Sequence, residues 1–185
     1  MELLAEIATR RAKRALREET IPDETIQRLL TAATYAPSCA NKQPWRFLVI
    51  NQAESLAQAR PALAEGNYWA KRAPLLVLVV TKPELACQLN ERREYALFDV
   101  GLATGNLLLQ AEKEGLIAHP LAGFDPLALK EACGIPAAYI LVTVIVIGFP
   151  GDPAALNDKH RELEQSARSR KPETEVICYN TWSLA

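Results

Sequence analysis

The apolar positions follow two different periods along the chain, and together these predict a protein that mixes helices with strands. Apolar residues at helical spacing occupy residues 2–14, 21–37 and 95–114. Short apolar runs typical of strands cover residues 46–50, 75–80 and 139–147. Shorter helices are predicted at residues 55–63, 126–134 and within 152–170, with a loop at 119–125 and a last strand at 176–179.

The helix predicted over residues 95–114 is apolar on nearly all sides, which predicts a central position in the fold. Gly101 and Gly105 lie one turn apart on it. Because glycine costs about 1 kcal/mol against alanine inside a helix, the pair predicts a close approach by another backbone. The strand at 176–179 has to pair in its own sheet or reach a neighbouring subunit. We therefore expect a homodimer in which the C-terminal strands are exchanged.

Length, charge and cysteine spacing limit the class of protein. The 185 residues fit one domain spanning 1–185, and a formal charge of −1 argues against a nucleic-acid partner. The longest apolar run, residues 137–147, is too short to span a membrane, and arginines appear within ten residues of the start, where a signal peptide would be apolar. The four cysteines are widely spaced, which predicts reduced thiols and a cytoplasmic location.

The familiar catalytic motifs are missing from the sequence. His119 and His160 do not belong to a metal-binding spacing, and no nucleophile elbow, phosphate-binding loop or dinucleotide fingerprint is present. If the protein is an enzyme, a cofactor is expected to carry out the difficult chemical step. No metal is predicted.

A cluster of arginines near the start of the chain is the strongest electrostatic feature. On a helix, Arg10, Arg11 and Arg14 would share one face, where like charges repel unless an anion lies among them. Guanidinium groups match the geometry of phosphate. A second basic cluster occupies residues 168–171. Either cluster alone is explained by a solvated basic face, but two in a chain of nearly balanced charge favour a phosphate site.

Residues 37–45, PSCANKQPW, join a predicted helix to a predicted strand and form the most informative stretch. Two prolines, two amides and a serine hold polar groups along a fixed backbone path, as a site for a flat heterocycle requires. Trp45 is interpreted as a core anchor and Cys39 as a small spacer. A loop amide is the expected partner of Asp99 if this aspartate is buried.

With these motifs in view, the chain resembles the FMN-dependent nitroreductase family. The matching pieces occur in family order over nearly the whole length: RRAKR at 10–14, APSCANKQPWRF at 36–47, Ala73-Pro74, Asp99 with Asn106, Gly115-Leu116, GFD at 123–125, IGFP at 147–150 and RSRKP at 168–172. The resemblance implies an α+β fold with three α/β/α layers and a mainly antiparallel central sheet. It also implies a homodimer with an exchanged C-terminal strand and FMN bound at the interface between the subunits.

The resemblance also implies roles for individual residues. The positions expected to bind the phosphate and ribityl chain are Arg10, Arg11, Arg14, Arg168 and Arg170. The positions expected to lie at the flavin ring are Ser38, Asn41, Pro120, Ala122 and Gly123, with Ser38 reaching the partner's cofactor and either Asn67 or Lys71 at the pyrimidine edge. Ala12 and Pro37 complete the cofactor-binding set within the matched motifs. The chain departs from the family at Ala12, where many members have serine, and at Ala122, where some have glutamate.

The implied activity is that of an NAD(P)H-dependent oxidoreductase. A hydride from the nicotinamide would pass through bound FMN to a nitro compound, a quinone or a similar small acceptor, without a side chain acting as a general base. Three alternatives stay open. The first is a flavin enzyme of the same fold with other chemistry, such as reductive dehalogenation or flavin breakdown. The second is a non-enzymatic flavin-binding or interaction protein, and the third is an anion-binding module without flavin.

Overall fold

The computed structural model describes residues 2–91 and 93–184. Its α-helices are α1 (Ala5–Thr9), α2 (Asp23–Thr34), α3 (Ala53–Ala59), α4 (Tyr95–Lys113), α5 (Pro126–Ala132) and α6 (Asp158–Gln165). Its strands are β1 (Arg46–Ile50), β2 (Leu75–Thr81), β3 (Ile117–Leu121) and β4 (Ile140–Gly148). The predicted positions of α2, α4, β1, β2 and β4 are confirmed to within a few residues.

The four strands form one sheet in the order β1-β2-β4-β3, and every neighbouring pair is antiparallel. This confirms the predicted α+β class and the antiparallel sheet. Strand β3 falls partly in a stretch predicted to be a loop, because His119 and Pro120 interrupt its apolar pattern. Proline is tolerated there because β3 is an edge strand, with only β4 as its partner.

Both faces of the sheet are covered, and this produces the predicted layering of helix, sheet and helix. Alternate residues of β2 and β4 point to opposite faces, so each strand contributes to two cores. One core joins α2 and α4 to the sheet residues Leu75, Val77, Val79, Ile145 and Ile147. The other joins α3 and α5 to Leu76, Leu78, Val80, Val144 and Val146. Every residue of β2 is buried as a result.

Helix α4 is central, as predicted, but only one of its faces is buried. Val100, Ala103, Leu107 and Ala111 recur at helical spacing toward the sheet and α2. On the opposite side Leu97 is 42% exposed and Phe98 55% exposed. A Cβ added to Gly101 or Gly105 would meet no atom within 4 Å. The predicted close approach of a second backbone to these glycines is therefore wrong within this chain.

Two terminal segments also differ from the predictions. The first helix ends at Thr9, so the arginine cluster lies beyond it. Residues 176–179 are not part of a strand in this chain, and the tail instead exposes apolar side chains, including Tyr179 (81%) and Trp182 (79%). A strand needs a neighbouring strand for its hydrogen bonds, and the described residues 176–179 have no such partner in this chain. Within residues 2–91 and 93–184, none of the helices has both the length and the apolar content required to cross a membrane.

Candidate functional site

The segment that carries Arg10, Arg11 and Arg14 is extended rather than helical, so the prediction that they share one helix face is wrong. Tertiary hydrogen bonds hold its backbone. The Glu164 carboxylate accepts hydrogen bonds from the backbone N–H groups of Arg14 and Ala15. The N–H of Gly151 donates to the carbonyl of Ala15 at 2.8 Å. These bonds use backbone groups that a helix would need, and they fix the segment against the rest of the protein.

Both ends of the chain meet at this segment. The Arg11 guanidinium donates to the carbonyl oxygen of Ser166 at 2.8 Å, and Arg168 donates to the carbonyl oxygens of Ile7, at 3.0 Å, and Arg10. The structure thus brings Arg168 beside Arg10 although 158 positions separate them. The acceptors of these bonds are neutral main-chain oxygens rather than carboxylates.

The remaining basic candidate residue lies further along the same C-terminal segment. Arg170 is exposed and donates to the carbonyl of its neighbour Ser169 at 2.6 Å. Within the part of the chain that the structure describes, none of Arg10, Arg11, Arg14, Arg168 and Arg170 forms a salt bridge with a carboxylate. Ala12 is exposed between the arginines and offers only a methyl group.

Two aromatic side chains lie beneath the arginine segment. The Arg14 guanidinium lies over the Trp69 ring at 5.9 Å from its centroid, and the His119 ring packs against the same indole at 4.7 Å. Nδ1 of His119 donates to the carbonyl of Lys13, with 3.0 Å between the two atoms. His119 therefore ties strand β3 to the arginine segment. The indole N–H of Trp69 is buried without a hydrogen-bond partner among the described residues.

The end of β3 forms the next part of this region. Pro120 is half-buried in the strand, Ala122 is exposed, and the carbonyl of Gly123 accepts from the Asn67 side chain at 2.7 Å. A Cβ on Gly123 would lie 2.6 Å from the amide nitrogen of Asn67, so only glycine permits this contact. The structure thus places Asn67 against Gly123, while Lys71 is exposed on the same 3-10 segment, Glu65–Arg72.

The loop over residues 37–45, called the signature loop below, has an unusual backbone. Ala40, Asn41 and Gln43 have φ angles of 48°, 54° and 48°. A left-handed conformation costs roughly 1–2 kcal/mol for a residue other than glycine, and less for asparagine. Such a loop persists only when its surroundings hold it in place.

Several contacts hold the signature loop. The Ser38 hydroxyl accepts from the backbone N–H of Gln43 at 3.0 Å, and the Asn41 side-chain oxygen accepts from the Gln43 amide at 3.0 Å. Asp99, which is 1% exposed, accepts from the backbone N–H of Cys39 at 3.2 and 3.3 Å. The predicted loop-amide partner of Asp99 is confirmed. Pro37, just before these contacts, is exposed.

A disulfide adds a covalent constraint to the signature loop. Cys39 is bonded to Cys87, with their Cα atoms 6.0 Å apart. The prediction of reduced thiols is wrong for this pair, whereas Cys133 and Cys178 are free. The sequence separation of 48 residues gave no indication that the chain returns to this loop after β2.

The candidate residues fall into two groups at opposite edges of the sheet. The signature loop precedes β1, the first strand in the order, whereas the arginine segment and the end of β3 lie at the other edge. Three strand spacings of roughly 4.8 Å separate these edges, or about 14 Å. Within one chain, therefore, Ser38 and Asn41 do not lie against the same small surface as Pro120 and Gly123.

Four residues near the arginine segment were not predicted as part of the site: His119, Glu164, Tyr68 and His160. The Tyr68 hydroxyl lies 3.2 Å from Nδ1 of His160 and accepts from the backbone N–H of Asn157 at 2.8 Å, which attaches the start of α6 to residues 65–72. For His119, adjacency to Pro120 was the only signal in the sequence. Glu164 gave none, because its role depends on where α6 lies.

With this geometry established, comparison with known proteins identifies the family. The family model described as Nitroreductase family matches residues 7–82 and 62–149 of the chain. The chain belongs to the Nitroreductase family. Membership supports oxidoreduction with a bound flavin as its class of chemistry.

Two named relatives align with most of this chain. A protein of Archaeoglobus fulgidus with the provisional name NADH dehydrogenase/NAD(P)H nitroreductase is 34% identical over 158 residues, covering 82% of this chain and 87% of its own. An iodotyrosine deiodinase of Thermotoga neapolitana is 27% identical over 208 residues, covering 98% of this chain and 100% of its own.

A solved structure also has the same fold. It is described as an oxidoreductase containing FMN, with a TM-score of 0.88 and 27% sequence identity. The match covers 100% of this chain and 95% of that one. The predicted nitroreductase-like fold is confirmed.

His119 generates a prediction about the pH dependence of stability. Burial, with a smaller contribution from the charges of Arg14 and Arg10, lowers the pKa of His119 below its ordinary value of 6.5, and the hydrogen bond to the Lys13 carbonyl only partly opposes this. The unfolded chain therefore takes up a proton at this position at a higher pH than the folded chain does. The associated stability is complete above about pH 6.5 and declines as the pH falls below that value.

We expect the free energy of unfolding in urea to fall between about pH 7.5 and about pH 5.5, and His119→Asn to reduce this slope. Burial also lowers the pKa of His160, so His160→Asn serves as the companion variant that removes the second contribution. A His119→Asn protein whose unfolding free energy changes with pH as steeply as the parent's would contradict the assignment.

Proposed function

We propose that this protein is an FMN-dependent oxidoreductase that takes a hydride from NAD(P)H and reduces a nitro compound, a quinone or a similar small acceptor. One observation supports this above the others: the Arg11 and Arg168 side chains tie residues 7–11 to residues 166–168 through backbone carbonyls, and among the described residues neither arginine forms a salt bridge with a carboxylate. Guanidinium groups without a carboxylate partner match the geometry of a phosphate ester. A cytoplasmic location stays a prediction.

The chain's own residues have distinct tasks in this proposal. Arg10, Arg11 and Arg14 bind the phosphate end of FMN, and Arg168 and Arg170 close on it from the C-terminal segment. The surface at Pro120, Ala122 and Gly123 lies along the ring, with Asn67 rather than Lys71 at its pyrimidine edge, because Asn67 already contacts Gly123.

In this proposal FMN and the protein's own residues have separate roles. FMN, when bound, supplies the two-electron carrier between the nicotinamide and the acceptor. The protein binds its phosphate, orients the ring and excludes water, so no side chain is needed as a general base. Polar groups that the fold already holds in place would stabilise negative charge on the flavin ring, because they do not need to reorient when the charge forms.

A second copy of the chain completes this site. Ser38 and Asn41 belong to the loop that precedes β1, and β1 and β3 are about three strand spacings, or ~14 Å, apart, so in our proposal the partner's signature loop supplies these contacts. The apolar outer face of α4, with Leu97 and Phe98, favours such an interface. A groove of about 640 Å³ between α1, α2 and α4 lies close by and offers a place for the exposed tail of the partner.

Reductive dehalogenation is the second candidate function. The iodotyrosine deiodinase of Thermotoga neapolitana aligns with nearly the whole of this chain, which favours this chemistry specifically. It would use the same cofactor residues and differ in the acceptor. A non-enzymatic flavin-binding role is distinguished from both candidates by whether bound flavin accepts electrons.

The visible spectrum of the purified protein tests the proposed function directly. We expect a yellow protein that loses its colour on anaerobic addition of NADH or NADPH and regains it with a nitroaromatic compound or a quinone. Recovery with iodotyrosine and release of iodide would instead establish the second candidate. A flavin that neither nicotinamide reduces would contradict both enzymatic functions.

Replacing one arginine tests the phosphate site. We expect Arg14→Ala to weaken FMN binding by roughly 1.5–3 kcal/mol, because it removes a charge-assisted contact. The dissociation constant follows from flavin fluorescence quenching. Lys13→Ala is the matched control. Lys13 is exposed, and its replacement removes one positive charge from the same segment. Equal FMN affinity in Arg14→Ala and the parent would show that Arg14 does not bind the cofactor.

The proposed dimer predicts a definite mass in light scattering. We expect twice the 20.4 kDa chain mass at micromolar concentration, and a shift of Phe98→Glu toward the monomer because a charge would be buried in the α4 interface. Leu127→Glu is the control, since Leu127 is 74% exposed on α5 in the opposite helical layer. A parent protein that elutes as a monomer would refute the shared site.

A further inference from the structure

The disulfide between Cys39 and Cys87 joins two segments of different character. Cys39 lies in the signature loop, directly after Ser38, one of the residues proposed to contact the flavin ring. Cys87 lies in the connection between β2 and α4, where the described residues 82–91 and 93–94 include one 3-10 turn, at Pro83–Leu85. The bond therefore links a candidate binding loop covalently to the segment that follows β2.

The signature loop depends on a small number of contacts, and the disulfide is one of them. Three of its residues have left-handed backbone conformations. The backbone N–H of Cys39 contacts buried Asp99, and the carbonyl of Pro44 accepts from the Thr81 hydroxyl at 2.8 Å. Loss of the Cys39–Cys87 bond would remove the covalent restraint at Cys39, leave the hydrogen bond to Asp99 in place, and give the loop more freedom to relax.

The bond is also accessible to reaction. Both sulfur-bearing residues are half-buried rather than enclosed. A pocket of about 140 Å³ lies beside Cys87, with Gln88, Arg93 and Glu94 in its lining. Cys87 therefore borders a space open to a small thiol, with Arg93 and Glu94 contributing opposite charges to its lining.

We propose that Cys39 and Cys87 form a thiol–disulfide exchange site for low-molecular-weight thiols, and that its oxidation state sets the order of the signature loop. The oxidised pair holds the loop in the conformation seen here, and the reduced pair releases it. The exchange chemistry does not depend on the proposed function, whereas its effect on FMN affinity rests on that function.

The exchange is balanced in atoms and electrons. An external thiolate attacks the sulfur of Cys87, which breaks the bond to Cys39 and leaves the Cys39 sulfur as a thiolate that takes up a proton. A second external thiol then attacks the mixed disulfide, releasing the Cys87 thiol and an external disulfide. The protein disulfide is reduced by two electrons and two external thiols are oxidised; the reverse sequence restores the bond.

Titration with glutathione tests the exchange site. The full-length protein is equilibrated at graded ratios of reduced to oxidised glutathione, alkylated and mapped by mass spectrometry. We expect Cys39 and Cys87 to become alkylated together as the share of reduced glutathione increases. The Cys133→Ser/Cys178→Ser control should show the same alkylation of Cys39 and Cys87. We also expect Cys39→Ser to accumulate glutathione on Cys87. Cys39 and Cys87 that stay disulfide-bonded, or stay free, at every ratio would overturn the proposal.

Hydrogen–deuterium exchange of residues 37–45 tests the coupling to the loop without reference to flavin. We expect faster exchange in the reduced protein and in Cys87→Ser, and the slow rate only in the oxidised parent. Identical exchange in all three would overturn the coupling.

FMN affinity provides the second measurement of coupling. We expect the reduced protein to bind FMN about three- to tenfold more weakly, the ratio expected for the loss of one neutral hydrogen bond. The Cys133→Ser/Cys178→Ser control should show the same difference, and Cys87→Ser should show none. Equal affinity in both redox states would refute the effect on binding. Absence of FMN binding in either state would refute the proposed function and leave the thiol titration and loop exchange to decide the redox site.

Discussion

The burial of β2 and β4 on both faces is the constraint on which the rest of the structure depends. Each strand alternates its side chains between two separate cores, so the sheet must be covered by helices on both sides. Burying aliphatic side chains of this size contributes on the order of 1.5–3 kcal/mol each, which outweighs the weak local preferences of the connecting segments. The connections take whatever path the sheet and its helices leave for them.

This constraint separates the two candidate functional segments. The signature loop enters the sheet at the β1 edge, and the arginine segment lies at the β3 edge beside His119 and Trp69. One chain cannot bring its own loop across the sheet, since β2 and β4 lie between and both are covered. The same arrangement leaves an apolar face on α4 exposed. A dimer would resolve both features, because the second chain would cover α4 and supply the missing loop.

The arginine segment shows how local preference yields to tertiary contacts. Its sequence continues a helical pattern, yet the backbone N–H groups of Arg14 and Ala15 donate to Glu164 and the Lys13 carbonyl accepts from His119. A short helix is only marginally stable by itself, so a few such bonds are enough to replace it. The extended path lets the C-terminal segment lie across it, so that Arg168 and Arg10 become neighbours.

The sequence by itself determined α2, α4, β1, β2 and β4, because each depends on a local run of apolar residues with a clear period. It also pointed to the arginines, the signature loop and the partner of Asp99, since these are contiguous motifs or single buried charges.

Only the tertiary structure decided that β3 forms an edge strand through Pro120, that Cys39 meets Cys87, and that the candidate residues divide between two edges of the sheet. Each of these depends on which distant segments become neighbours. Local residue patterns do not contain that information, because contacts between distant segments are set by the packing of the whole sheet.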